Sequence, residues 1–328
     1  MKYFYCQSYQ AFNLALALSM EDKVTIITSA ENIIKACSFL KVNFIEHKPF
    51  GLKDFIKKKR EINFEIERLV RIIDYNEMHF SHAQFAVFCF YLVKKINDRK
   101  GKTIFHNFEL LYKKPKSHFS NLLNKQYLYS KINNVYLKLQ YKLPVEIRKS
   151  TSNAYVISLK MDYIQKKIFK IIDDKASYFD ITLKMFENFE FDYPKINHIF
   201  VSQTFEVVDL FDEDKIKKVL PLINQKHITL KNHPKLGAVK SLEKCKTIPD
   251  YLPVELFFQK VIGSVISFHS ASLVTASKFE NINAISILDM VRTKDPFNDT
   301  MKSYLSEKSN DKIRFISEID ELKNILYA

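Results

Sequence analysis

The chain has 328 residues, 47% of them hydrophobic and 27% charged, with 51 basic against 37 acidic side chains and a net charge of +14. That length exceeds one small core and predicts two domains, and the balance of apolar and charged residues is that of a soluble globular protein. The longest uncharged apolar run, 83–93, falls well short of the roughly 20 residues that span a bilayer, which excludes an integral membrane protein.

In chain order, Lys2 to Gln7 reads as a strand, Ala11 to Met20 as a short apolar helix and Val24 to Thr28 as a β-branched strand. Ala30 to Leu40 has helical spacing and Val42 to Glu46 is a third strand, so the order β-α-β-α-β predicts a parallel sheet with helices on its faces. Ile56 to Val70 is a long charged amphipathic helix, Asp74 to Met78 a strand end or loop, Gln84 to Ile96 an apolar helix and Thr103 to Leu110 a further strand. The stretch 113–141 is basic and aromatic; it reads either as a polyanion or membrane contact or as a solvated linker or helical hairpin between domains. A second α/β pattern comes next. Ala154 to Leu159 and His198 to Ser202 are strand-like, Asp214 to Leu222 is a helix, and His227 to Lys231 is a strand ending at His233-Pro234. Val254 to Ile262 reads as a helix, Val265 to Phe268 as a strand, Ser270 to Ser277 as a helix, and Ala284 to Leu288 and Ile313 to Ile316 as strands. Ser317 and Asp320 supply an S-x-x-D start for a terminal helix.

The expected division is an N-terminal domain over 1–150, a C-terminal domain over 151–312, and a terminal strand and helix over 313–328 that pack back toward the N-terminal domain. No small-residue cleavage site follows the first strand, so no leader is expected. Cys6, Cys37, Cys89 and Cys245 are far apart, with no C-x-x-C pair, and read as buried free thiols of a reducing cytosol. The excess of lysine and arginine favours anionic partners: nucleic acid, anionic lipid headgroups or nucleotide-linked substrates. Against nucleic acid, no RNP, KH or helix-turn-helix signature is visible.

Three short elements carry chemistry. His233 follows an apolar strand and precedes Pro234, which holds it extended at the strand's mouth, where an imidazole can bond a phosphate or protonate it as it leaves. Glu255 follows Pro253 at a helix start and can accept hydrogen bonds from ribose hydroxyls. His269, Ser270 and Ser272 follow a strand, where hydroxyls and free N–H groups form an anion site. Each also has a plainer reading as a surface histidine, a first-turn glutamate and a serine cap. In open α/β sheets, ligands bind beyond the carboxyl ends of strands, where these elements are expected to sit.

Taken together, K-N-H-P-K (231–235), L-P-V-E-L (252–256) and S-F-H-S-A-S-L (267–273) resemble the H-P, Pro-x-Glu and Ser-Ser motifs of bacterial GT-B sialyltransferases of the lipooligosaccharide and capsular polysialyltransferase kinds. The resemblance covers about residues 196–290. It implies a GT-B fold of two Rossmann-like domains facing across a cleft, and an inverting, metal-independent transfer of sialic acid or a related nonulosonic acid from a CMP-sugar to a surface glycan. His233 is then the leaving-group acid and phosphate ligand, Glu255 the ribose ligand, Ser270 and Ser272 the phosphate ligands, with Lys231, Pro234 and His269 beside them. The chain reads H-S-A-S where the families have adjacent serines. It also lacks their acidic-acidic-Gly motif; Glu109 or His106 is the candidate general base, with His79 and His82 as a further region. No metal or other cofactor is expected, and the enzyme is expected in the cytoplasm against an anionic inner membrane. The alternatives are a GT-B transferase using CMP-Kdo or a UDP-sugar, and a non-catalytic basic nucleic-acid-binding protein.

Overall fold

A computed structural model describes residues 1–19, 22–81, 87–107, 125–149, 155–172, 193–202, 211–233 and 240–327. The chain divides into two compact units, Met1–Tyr178 and Phe179–Ala328.

The first unit runs β1 (Lys2–Tyr5), α1 (Tyr9–Ser19), β2 (Val24–Thr28), α2 (Glu31–Leu40), β3 (Phe44–Glu46), α3 (Leu52–Lys57), α4 (Lys59–Ile73), β4 (Glu77–Ser81), α5 (Val87–Asp98), β5 (Lys102–His106), α6 (Lys125–Tyr141), β6 (Val145–Lys149), β7 (Tyr155–Leu159), α7 (Met161–Lys167) and β8 (Lys170–Ile172). Six strands form one sheet in the order β3-β2-β1-β4-β5-β8, and every pair in it is parallel. A parallel sheet covered on both faces wants continuous apolar strands, and Phe4, Ile26 and Ile27 are fully buried. Helix α4 presents Ile62, Ile66, Leu69 and Ile73 at helical spacing to that core. The long helix expected from Ile56 is two pieces, because Lys58 leaves helical geometry at φ −121°, ψ 37°. Strands β6 and β7 pair antiparallel as a hairpin beside α6.

The second unit runs β9 (Ile196–Val201), α8 (Glu213–Ile223), β10 (Ile228–Lys231), β11 (Lys246–Thr247), β12 (Val261–Ser267), α9 (Ser272–Ala276), β13 (Asn283–Ser286), α10 (Leu288–Val291), α11 (Pro296–Ser309), β14 (Arg314–Phe315) and α12 (Ile319–Tyr327). Its strand order is β11-β10-β9-β12-β13-β14, again parallel throughout. Both sheets therefore have the 3-2-1-4-5-6 arrangement of a doubly wound Rossmann sheet, as expected for two Rossmann-like domains. In the second sheet the order reverses at β9, whose neighbours β10 and β12 lead outward in opposite directions.

The chain divides at Tyr178/Phe179, so β7, read with the second pattern, falls in the first unit, as do α7 and β8 after it. The terminal segment belongs to the second unit: β14 pairs with β13, and Leu322 and Leu326 of α12 enter the second core. Residues 254–260 form a 3-10 helix, and β12 begins at Val261, earlier than expected, because V-I-G-S-V-I-S is a β-branched run.

Gly263 interrupts that run at a register shift between β12 and β9. A Cβ on it would lie 2.5 Å from the Asn197 carbonyl oxygen, which is backbone and cannot turn aside. Gly263→Ala is therefore expected to destabilise the second unit by about 1–3 kcal/mol, read as a lower urea midpoint with an unchanged slope. All four cysteines are free and buried.

Candidate active site at the carboxyl edge of the second sheet

Lys231 ends β10, paired across to Val201, the last residue of β9. On the other side of β9, Ser267 ends β12 and donates its Oγ–H to the Val201 carbonyl at 2.8 Å. Lys231, Val201 and Ser267 thus end level across three neighbouring strands. The segments that leave these three strand ends emerge at one edge, within about 10 Å, two strand spacings.

His233 leaves this edge from β10. Its backbone N–H donates to Ser202 Oγ at 3.1 Å, and the Ser202 N–H donates to the Lys231 carbonyl at 3.0 Å, so the exit of β9 anchors the exit of β10. Between them Asn232 is 3% exposed, and its Oδ1 has no hydrogen-bond partner among the described residues. Pro234 lies outside those residues.

Glu255 comes from the 3-10 helix that precedes β12 and accepts a hydrogen bond from Ser272 Oγ at 3.0 Å. The Ser272 N–H lies 3.3 Å from Ser270 Oγ, which accepts from it. The helix expected over 270–277 is the short α9, and Ser270 turns the chain into it. The structure therefore brings the glutamate and both serines into one hydrogen-bonded group. His269 packs its ring at 5.4 Å from Phe211, and burial lowers its pKa to about 4, which keeps the imidazole neutral at pH 7.

Lys231 lies near enough for the Glu255 charge to bear on it. It is buried and donates from Nζ to the carbonyls of Asp250 at 2.7 Å and Pro249 at 3.3 Å. Burial lowers its pKa to about 8, opposed by the charges of Asp250 and Glu255. An ammonium this poorly solvated, at the mouth of a strand, gains from any anion that approaches it. No sequence motif marks Ser202, Asn232 or Asp250. Ser202 ends a recognised strand next to β10, but its use as an anchor depends on a pairing that only the folded sheet fixes.

In the first unit, His106 ends β5 and is 2% exposed. Its Nε2 lies 2.9 Å from His79 Nδ1, with both rings packed against Phe4. Glu109 and His82 lie outside the described residues. Among the described residues, no group of three or more His, Cys, Asp or Glu side chains is placed to hold a metal ion, and no helix is long and apolar enough to cross a membrane. A cavity of about 560 Å³ in the second unit opens beside His198, Ser264, Asn283 and Arg314, toward the amino ends of the strands and away from the candidate site.

No family model matches the chain. No curated protein matches its sequence. Solved structures of similar shape include the spinosyn forosaminyltransferase SpnP (8% identity, 99% of this chain and 88% of that one, TM-score 0.46). The glycosyltransferase SnogD from Streptomyces nogalater is similar at 10% identity, over 99% of this chain and 90% of that one, with a TM-score of 0.45. A protein from Listeria monocytogenes described as a UDP-N-acetylglucosamine 2-epimerase is similar at 9% identity, over 95% and 89%, with a TM-score of 0.46. At TM-scores below 0.5 these likenesses carry no information on donor, acceptor or reaction.

Proposed function

We propose that the chain is a nucleotide-sugar-dependent glycosyltransferase of the GT-B kind, whose donor is a CMP-linked sialic or related nonulosonic acid and whose acceptor is a bacterial surface glycan. The observation that supports this most is the Glu255–Ser272–Ser270 group. It stands at the edge of a doubly wound sheet where the strand order reverses, with His233 leaving the neighbouring strand end. Two of the three motifs leave the neighbouring strand ends of β10 and β12, the third reaches the second of these through the Ser272–Glu255 hydrogen bond, and such an edge is where a nucleotide binds.

In this reading Glu255 takes the ribose hydroxyls and Ser270 donates to the phosphate, while Ser272, whose one O–H is held by Glu255 in the free site, gives it to the phosphate once the ribose hydroxyls occupy Glu255. Lys231 adds positive charge near them, and Pro234 and His269 border the nucleotide. A base removes the proton of the acceptor hydroxyl, and the freed oxygen attacks the anomeric carbon from the face opposite CMP. The bond from that carbon to the phosphate oxygen breaks, and His233 gives its proton to the departing CMP. Glu109 is the base in this reading, because the His106 ring is buried with Nε2 already against His79. One phosphate needs little neutralisation, and the serines, His233 and Lys231 supply it.

The test is thermal stabilisation by CMP against UDP, GDP and an oligonucleotide. CMP at about a hundred times its dissociation constant is expected to add about 2.7 kcal/mol. A rise with UDP instead moves the reading to a UDP-sugar transferase, and a rise with the oligonucleotide alone removes it. His233→Ala is expected to keep CMP binding within about tenfold while turnover is lost, since one hydrogen bond to phosphate is worth about 1–2 kcal/mol. Normal turnover in that variant would refute its role as leaving-group acid.

A further inference from the structure

Helix α6 is amphipathic the wrong way round for a helix of a globular core. Its inward face carries Ser130, Asn133 and Asn134, at 7%, 3% and 4% exposure, together with Leu137 and Tyr141. The hydroxyls of Tyr141 and Tyr136 both donate to the Phe55 carbonyl of α3, and Leu137 and Tyr141 enter the first unit's core, so the inward face is already engaged. Its outward face carries Leu128, Ile132, Val135 and Leu139, at 47%, 61%, 49% and 72% exposure. These are positions i, i+4, i+7 and i+11, and at about 100° per residue they fall within an arc of about 60°. Lys131 and Lys138 are exposed along one flank of the stripe, and Tyr129, 48% exposed, stands on the other. The sequence KQYLYSKINNVYLKLQY contains no acidic residue.

We propose that this face of α6 docks on an anionic lipid bilayer, lying in the plane of the headgroups. An exposed apolar stripe with cationic and tyrosine flanks has what that interface offers. The aliphatic side chains enter the acyl boundary, Tyr129 sits at headgroup level, and the lysines extend along the surface to lipid phosphates. A protein partner would need acidic side chains to meet the lysines and an apolar groove for the stripe; an anionic bilayer supplies both along the whole length of about 26 Å. The two faces decide between a spanning and a surface element. A helix with asparagines on one side and four aliphatic side chains on the other lies on a membrane and does not cross it. This surface belongs to the first unit alone and is independent of which nucleotide the second unit takes.

The experiment is sedimentation of the full chain with vesicles of phosphatidylcholine, with and without phosphatidylglycerol. The chain is expected to pellet with the anionic vesicles, and added salt is expected to release it. Ile132→Asp with Leu139→Asp is expected to weaken partitioning about a hundredfold. Lys131→Glu with Lys138→Glu is expected to weaken it about tenfold or more. All four side chains are exposed, so circular dichroism melts of both variants should match the parent. The CMP response of the second unit should also be unchanged. Pelleting that both double variants leave intact would overturn the proposal, as would no pelleting with anionic vesicles. The proposal also falls if the same substitutions dissolve a dimer in sedimentation velocity while vesicles are ignored, which would assign the stripe to a second copy. Retention on an oligonucleotide through Lys131 and Lys138, without vesicle binding, overturns it equally.

Discussion

Acidification from pH 6.5 to 4 is expected to strip several kcal/mol of stability from the first unit. His47 and His79 are each 3% exposed, and burial, the largest cause in both, lowers their pKa values to about 4 and about 3. Both rings have partners suited to neutral imidazole. His47 Nδ1 donates to the Lys48 carbonyl at 2.8 Å, and its ring stacks on Phe88 at 4.4 Å. In the unfolded chain both titrate near 6.5. Between 6.5 and the folded values the unfolded chain therefore holds more protons, and stability falls as pH falls. At about 1.4 kcal/mol per pKa unit the two rings together cost several kcal/mol by pH 4, against a total of about 5–15 for a typical domain. The carboxylates held low, Asp54 by the Gly51 N–H and then Lys58, and Glu65 by Arg68, lose their contribution at still lower pH, below about 4.5. The chain has 17 tyrosines and no tryptophan, so tyrosine fluorescence with circular dichroism reports the transition. His47→Phe keeps the stack and should flatten the loss between pH 6.5 and 4; a parent that keeps its full stability at pH 4 would show that these imidazoles are not held neutral.

The second large effect concerns Glu255. Replacing it with Ala is expected to weaken CMP binding about a hundredfold, because two charge-assisted hydrogen bonds to the ribose disappear and Ser272 loses the acceptor that orients its hydroxyl. Ser272→Ala should cost about tenfold, and the double variant little more than Glu255→Ala alone, because the two side chains act as one group. The Glu255 charge also raises the Lys231 pKa, so its loss drives that pKa below about 8. Phosphate binding in the parent should decline as pH rises through about 8, and in Glu255→Ala the decline should begin at lower pH. Isothermal titration with CMP and cytidine across pH 6.5–9 separates the two roles: Glu255→Ala weakens both ligands, whereas the pH-dependent loss appears with CMP alone. Equal binding of CMP by parent and variant would remove Glu255 from the site.

Much of the fold is legible because parallel strands buried on both faces leave solid apolar runs. Lys2–Tyr5, Val24–Thr28 and Ile228–Lys231 stand within two residues of their expected places. Strand β6 is not legible, although Val145 and Ile147 alternate with Glu146 and Arg148, because its charges and the preceding Pro144 resemble a loop. The start of β12 is masked because V-E-L-F-F-Q-K has helical composition, and only the pairing of Val261 with Ile196 on β9 shows where the strand begins. At the candidate site, His233, Glu255, Ser270 and Ser272 are legible as residue types able to hold a nucleotide. Ser202 and Asn232 are not, since a serine and an asparagine after a strand are common, and their significance lies in the alignment of β9 with β10. The inverted face of α6 is hidden for a similar reason: a 3.6-residue period shows that a helix has an apolar side, and not which way that side turns.

The sixth strand of the first sheet is made late. β8 joins β5 from 66 residues further along the chain, as Ile104 pairs with Lys170, after α6, the β6–β7 hairpin and α7 have been synthesised. Until residue 172 has left the ribosome, β5 offers bare N–H and C=O groups along one side, with Ile104 and Phe105 in the exposed row. A fragment stopped near residue 150 would keep five strands and most of the aromatic core, yet end with an open edge ready to pair with another copy of itself. Expression of the amino-terminal unit by itself should therefore succeed only when the fragment continues past β8.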